Sequence, residues 1–469
     1  MREMTLGVII GHRAVFPGGL AERGRAVILD VLKGKGVKTV VLGADATASG
    51  AVSCRADGRK YASLFKENRD RIDGILISLP DFGDEASMVL AVKESGLDVP
   101  VYVHAWPDRA SNFGIEDRRD SFCGKFSACN NLRQSGIKYT LGELHVLAPD
   151  SVAFSAEIDR FLGVCRVVNG LRRARIGCIG ARTGDFKTVR FSEKILQRNG
   201  ITVETVDLSE MLADAKEIKA GSPELAQRIK ALEDYCLGAG NVPARPTEDI
   251  ARFSLAIDAW VQKNELDAYA LQCWPSLQRG MGIFPCTFMS FMSDHGMPSA
   301  CETDVMGAVS MLSLQLATGA SSALFDLNNN YDDDPDMMVL FHCSNCPVSL
   351  IKDPKAAYNA MAVNGIGLER SYSTLFGNLK AGDFTYARVM TDDLAGGMTS
   401  YLGEGTILEK ELKTFGTVGV VRIENLQRLL AHLCKNGFEH HLAINGNRVA
   451  GILEEAFGNY LGWSVYHHI

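Results

Sequence analysis

Two carboxylates and a few imidazoles, far apart along the chain, are the side chains best suited to act together. Glu302 stands immediately before an apolar helical run over 305–317, and Asp326 closes the strand-like run 323–325. His342 closes a strand over 338–341, and His440 and His441 open another over 442–444. Each has a plain structural reading. An acidic side chain at a helix start is favoured by the macrodipole. An Asp ahead of an asparagine-rich loop makes an Asx turn, and a lone histidine at a strand end is commonly structural. Yet Asp304 can cap the helix, which leaves Glu302 free. Taken as a set, Glu302, Asp326, His342 and His441 have the types for an octahedral divalent cation. Carboxylate oxygen with imidazole nitrogen favours Mn²⁺, with Co²⁺ or Mg²⁺ as alternatives, over a thiolate-bound metal. Spacing leaves their convergence open.

At 469 residues the chain exceeds one ordinary core, and two or three domains are expected. Apolar residues make up 46% and charged residues 22%, as in a soluble globular protein. A formal net charge of -7 argues against nucleic acid as the main partner. No apolar run reaches the roughly 18 to 20 residues of a membrane helix. The N-terminal stretch reads as a first strand rather than a signal peptide, so a cytoplasmic protein is expected. The twelve cysteines are scattered, several inside apolar runs, and read as reduced small hydrophobes. Cys343 and Cys346 form one C-x-x-C without the second pair that a zinc ribbon requires.

The elements that would position these groups fall into three stretches, 1–170, 171–320 and 321–469. In the first, strands over 6–10, 37–42, 74–79 and 99–103 alternate with helices over 20–34, 61–68 and 86–95. That alternation predicts βαβ units and a mainly parallel sheet. Its strand ends carry His12, Arg13, Asp81 and Trp106 along one edge, where open α/β sheets bind ligands. The second stretch repeats the pattern, with strands over 175–179, 202–206 and 268–273 and helices over 189–197, 223–237 and 253–263. Its turn at 180–184 lacks the G-x-G-x-x-G spacing of a nucleotide site and reads as a strand-to-helix turn. The third stretch changes to antiparallel β patterning around 384–389 and 416–421, with helices over 426–433 and 449–460. Residues 332–334 are an acidic loop without the EF-hand order. Arg13, Trp106, Arg119, Gln272 and Trp274 lie at or beyond strand ends and are candidates for binding a sugar, or Trp for filling a core gap.

Several motifs together resemble the L-fucose isomerase and L-arabinose isomerase family, particularly its shorter, L-fucose isomerase-like members. They are Ser78-Leu79-Pro80-Asp81-Phe82-Gly83-Asp84-Glu85, Arg118-Arg119-Asp120-Ser121-Phe122-Cys123-Gly124-Lys125 and Asn130-Asn131-Leu132. Gln272-Cys273-Trp274, Ala300-Cys301-Glu302 and Phe341-His342-Cys343-Ser344-Asn345 complete the match, which spans nearly the whole chain. The resemblance implies two open parallel α/β domains and a C-terminal domain built around a β-barrel. It implies Glu302 and Asp326 as paired catalytic carboxylates that also bind the metal, with His441 as a ligand. His342 matches a ligand of the arabinose isomerases, and Asn345 joins the substrate-binding candidates. It further implies homo-oligomers, hexamers or trimers, with active sites between subunits, so that Arg13 and Trp106 serve a neighbour. The expected activity is metal-dependent aldose–ketose isomerisation of a free sugar through an enediolate, with L-fucose, D-arabinose or L-arabinose as substrate. The alternative substrate is sulfoquinovose, whose sulfonate would use Arg13, Arg118 or Arg119. A non-catalytic sugar-binding protein is the rival of another class.

Overall fold

Buried apolar stretches anchor the strands that carry the site, Ala323 to Phe325 in one and Met338 to Leu340 in the next. In the computed structural model, which describes residues 3–114, 116–236 and 242–469, the chain forms two compact units. One comprises Met1–Asn169 with Glu455–Gly462, the other Gly170–Glu454 with Trp463–Ile469.

The first unit is built on β1 (Thr5–Ile10), β2 (Lys38–Val40), β3 (Gly74–Leu79) and β4 (Val101–Ala105), all parallel, in the order β2-β1-β3-β4. Every residue of β1, β3 and β4 is buried, as parallel strands covered on both faces require. Gly7 is small for a reason: a Cβ there would lie 2.9 Å from the ring of Phe65. The segment Glu455–Gly462 is held by Tyr460, whose hydroxyl meets the Val101 backbone at 3.2 Å and Thr140 Oγ1 at 2.9 Å.

The second unit contains another parallel sheet, β5 (Arg175–Ile179), β6 (Thr202–Val206), β7 (Ala268–Leu271) and β8 (Ser299–Ala300), in the order β6-β5-β7-β8. The preceding helix region follows expectation over Pro223–Tyr235; the predicted end at Leu237 lies outside the described residues. The unit's remaining strands are β9 (Ala323–Asn330), β10 (Met337–His342), β11 (Ile351–Tyr358), β12 (Tyr372–Leu379), β13 (Gly382–Asp392), β14 (Gly397–Ile407), β15 (Thr417–Arg422), β16 (His441–Asn445) and β17 (Ser464–His468). They run β15-β10-β9-β16-β13-β14, and β14 pairs back onto β15, closing a barrel. The pair β11–β12 extends it beside β15, and β17 beside β14. Two open parallel sheets and a closed barrel are the fold class expected from the sequence.

The helix Val305–Thr318 packs against β7, β13 and β16, and Val305, Met306, Val309, Met311, Leu312 and Leu314 are all buried. A helix apolar on every side belongs inside. Asp304 caps its start by accepting from Gly307 N at 2.8 Å, and Gly319 ends it at φ 77°.

Several elements differ from expectation. Asp326 does not end its strand, because β9 continues to Asn330 and there is no Asx turn at Asp326. Asn329 and Asn330 pair with Val339 and Met338, so ladder hydrogen bonds outweigh the turn preference of asparagine. The 449–460 helix is short, Ala450–Glu454, and widens into a π turn over Glu455–Leu461. Strands β11, β12, β14 and β17 have no counterpart in the sequence reading.

Candidate active site

Glu302 owes its position to a strained reversal. After β8 the chain turns through Glu302 at φ 63° and Thr303 at φ 61°, and the helix starts at Val305. Left-handed backbone costs an L-residue about 1–2 kcal/mol, and such strain concentrates where function over-determines a conformation. The barrel register supplies the partners. Asp326 on β9 faces His441 across β16 and Phe341 across β10, and His342 is the last residue of β10. Directly opposite residues in a ladder have Cβ atoms about 4.5–5.5 Å apart.

The side chains converge. His441 Nε2 lies 3.2 Å from Glu302 Oε2 and 3.3 Å from Asp326 Oδ1. Glu302, His342 and His441 offer ligand atoms within 4.8 Å of one another, as do Asp326, His440 and His441. Burial is deep, with His342 2% and His441 1% exposed. Glu302 Oε2 is buried with His441 Nε2 as its near neighbour, and His342 Nδ1 is buried without a hydrogen-bond partner. Phe186 packs its ring against both His440 and His441.

The electrostatics demand positive charge here. Burial pushes the Glu302 carboxyl up, but its hydrogen bond to His441 and the charges of His441 and His342 more than offset this and leave it below the ordinary range. Asp326 is likewise raised by burial and lowered further by His441, His342 and His440. For His441, burial lowers the pKa, while hydrogen bonds to Asp304, Asp326 and Glu302 hold it well above the usual value. His440 is lowered, chiefly by burial and then by His441. Carboxylates gathered on one imidazole are balanced by a proton or by a cation. Carboxylate oxygens of Glu302 and Asp326 with imidazole nitrogens of His342 and His441 fit a hard or borderline divalent ion.

A network behind His441 was not expected. Asp304 Oδ2 accepts from His441 Nδ1 at 2.8 Å, and both its oxygens take the fork of Arg388, at 2.6 and 3.0 Å. Arg388 Nε also donates to Glu439 at 3.2 Å. Asp304 and Arg388 have no exposure at all. The sequence held a signal: Arg388 stands between Tyr386-Ala387 and Val389-Met390, and a charge buried there is tolerated only when paired.

The predicted sugar-binding residues separate. Trp274 is 37% exposed and donates Nε1 to Glu302 Oε1 at 3.3 Å, so it belongs to the site. Gln272 Oε1 accepts from Ala181 N at 3.0 Å and Nε2 donates to Ser276, tying down the turn that follows β5. Asn345, expected to bind substrate, is buried with its amide engaged by Ser299 O at 2.5 Å and by Ser290, so it braces the core instead. In the first unit, His12 Nδ1 meets Asp81 at 2.7 Å, and Trp106 donates Nε1 to Ser78 Oγ at 3.2 Å. Arg13 lies over the Phe82 ring and pairs with Glu85, whereas Arg119 lies over Trp106 and donates to Pro80 O at 2.7 Å. Arg118 is exposed and paired with Asp120. A cavity of about 260 Å³ opens beside Trp106, Arg109 and Arg119.

Paired carboxylates with imidazoles beside them, on a barrel that follows parallel sheets, are the equipment of an enzyme that moves protons on a small polyol. The comparisons agree. Residues 7–172 match the fucose/sulfoquinovose isomerase N-terminal domain, and residues 340–468 match the L-fucose isomerase C-terminal domain. The sulfoquinovose isomerases of Priestia aryabhattai and Priestia megaterium are each 29% identical over 382 residues, 80% of this chain and 81% of theirs. That of a Clostridium species is 28% identical over 239 residues, 50% of this chain and 52% of its own. The chain belongs to the fucose isomerase-like family. It is an aldose–ketose isomerase acting in carbohydrate metabolism.

Proposed function

We propose that this isomerase converts sulfoquinovose to its ketose, sulfofructose, at a divalent cation held by Glu302, Asp326, His441 and His342. Mn²⁺ is the first choice and Co²⁺ or Mg²⁺ the alternatives. The observation that most supports the cation is the convergence of Glu302, His342 and His441, whose ligand atoms lie within 4.8 Å of one another, with His441 shared by Asp326. When bound, the cation supplies electrostatic stabilisation of negative charge developing on the sugar oxygens.

The protein's own groups do the rest. Both carboxyl groups lie below their ordinary pKa and are ionised at neutral pH, ready to act as bases. One of Glu302 and Asp326 takes the proton from C2 and returns it to C1. The other takes the proton from O2 and delivers it to O1. Trp274 offers an exposed ring at the edge of the site for a sugar face.

Sulfoquinovose stands ahead of the neutral sugars because it is the substrate named for relatives that align over most of this chain. Among the arginines considered for the sulfonate, Arg13 and Arg118 are paired with carboxylates, while Arg119 donates to a carbonyl, with Asp108, Asp81 and Asp117 near its charge. In line with the resemblance, the chain is proposed to act as a trimer or hexamer, which sedimentation equilibrium measures; a monomer at assay concentration would contradict it.

Initial rates on sulfoquinovose, L-fucose, D-arabinose and L-arabinose, with and without chelator, test the reading. Sulfoquinovose is expected to lead in kcat/KM by on the order of 100-fold, with activity lost to chelator and restored by Mn²⁺. A preference for a neutral sugar would reject the sulfonate, and sugar binding without turnover would favour a receptor.

A further inference from the structure

Asp304 is more than a helix cap. Its two oxygens receive four donors: Gly307 N and Arg388 Nη2 at Oδ1, Arg388 Nη1 and His441 Nδ1 at Oδ2. The donors come from three different parts of the second unit. Gly307 lies in the buried helix, Arg388 in the middle of β13, and His441 at the start of β16. The guanidinium fork fixes the plane of the carboxylate, since two parallel N–H bonds allow one orientation. The charge of Arg388 also compensates Asp304, so the carboxylate is placed to accept a proton donor rather than to compete for a cation.

Accepting from Nδ1 has a consequence at the other nitrogen. A neutral imidazole whose Nδ1 carries the proton presents a bare lone pair at Nε2. Nε2 lies 3.2 and 3.3 Å from Glu302 Oε2 and Asp326 Oδ1, so a cation bound there would take the place of the Nε2 proton. Metal-binding histidines are typically oriented by a carboxylate on the far nitrogen.

We propose that Asp304 and Arg388 are a positioning pair: Asp304 holds the Nδ1 proton of His441, Arg388 holds Asp304, and Nε2 is thereby directed at the divalent cation. This rests on the cation reading above. Glu439, which touches only the Nε side of the guanidinium, steadies the arrangement from outside.

The test is Mn²⁺ binding to the full-length protein, followed by the electron paramagnetic resonance of free Mn²⁺, with near-ultraviolet circular dichroism reporting the fold. The variants are D304N, R388K and the double variant D304N/R388M. The double change removes both charges together, so it avoids leaving one buried and unpaired. In D304N, the amide introduced at 304 can donate to Nδ1 and drive the proton to Nε2. The folded D304N and double variants are expected to bind Mn²⁺ roughly 10- to 100-fold more weakly. At saturating Mn²⁺ their KM for the sugar should stay near wild type while kcat falls. R388K, which keeps the charge but loses the fork, should fall between them and wild type. A purely structural role would lower stability and leave the Mn²⁺ Kd of the folded protein unchanged, and that result overturns the proposal. Wild-type protein that turns over sugar without binding Mn²⁺, Co²⁺ or Mg²⁺ would instead overturn the cation reading, and the pair's role with it.

Discussion

Glu302 sits in a backbone conformation that a glutamate adopts reluctantly, and the reversal there turns its carboxylate toward His441. Changing only its charge isolates the chemistry from the geometry. E302Q is expected to lose about 10²- to 10⁴-fold in kcat with an unchanged near-ultraviolet spectrum; near-normal turnover would remove Glu302 from the mechanism. Asp304 carries a stability signature. Burial pushes its carboxyl up, but Arg388 and His441 pull it well below the ordinary range. A depressed folded pKa stabilises in full above the unfolded value, about 3.9, and that stabilisation is lost as pH falls further. Urea midpoints measured from pH 5 downward should therefore fall more steeply for wild type than for D304N, and parallel curves would contradict the coupling. The sequence makes Glu302, Asp326, His342 and His441 legible because each breaks an apolar run at its end or edge. It does not show that Asp304 reaches His441, because that contact joins residues 137 apart through tertiary packing.

At the level of elements, register does what spacing along the chain cannot. The ladder β10-β9-β16 sets Asp326 beside His441, and the last residue of β10 is His342. The turn into β15 touches this ladder through Gly416, at φ 74°, where a Cβ would lie 2.5 Å from the His342 carbonyl. G416A is expected to cost about 1–3 kcal/mol, read from the urea midpoint, and to weaken Mn²⁺ binding because His342 must shift. Loss of stability with unchanged Mn²⁺ affinity would separate His342 from the site. The parallel sheets are legible because β1, β3 and β7 are buried, largely apolar runs. The second half of β9 is not, since Asn328 to Asn330 read as a turn until the pairing with β10 is known. Strands β11 and β12 are hidden by their mixed exposure, which blurs the alternation a half-buried strand should show.

For the whole molecule, the C-terminal residues contribute to both units, which no local pattern announces. Tyr460 belongs to the first unit, where its hydroxyl bonds the Val101 backbone and Thr140. Y460F leaves those buried groups short of a partner and is expected to cost about 1–3 kcal/mol. In calorimetry the loss should fall on the transition assigned to the first unit by its own fluorescence, and an unchanged scan would show that Tyr460 does not tie the segment down. No helix among the described residues is long and apolar enough to cross a membrane. The account stands or falls on whether one cation sits among Glu302, Asp326, His342 and His441. Anomalous diffraction at the manganese edge from crystals grown with Mn²⁺ measures this directly. A single strong peak within about 2.0–2.3 Å of the Glu302, Asp326 and His441 ligand atoms is the expected result. A peak elsewhere, or none in crystals of active enzyme, would contradict it.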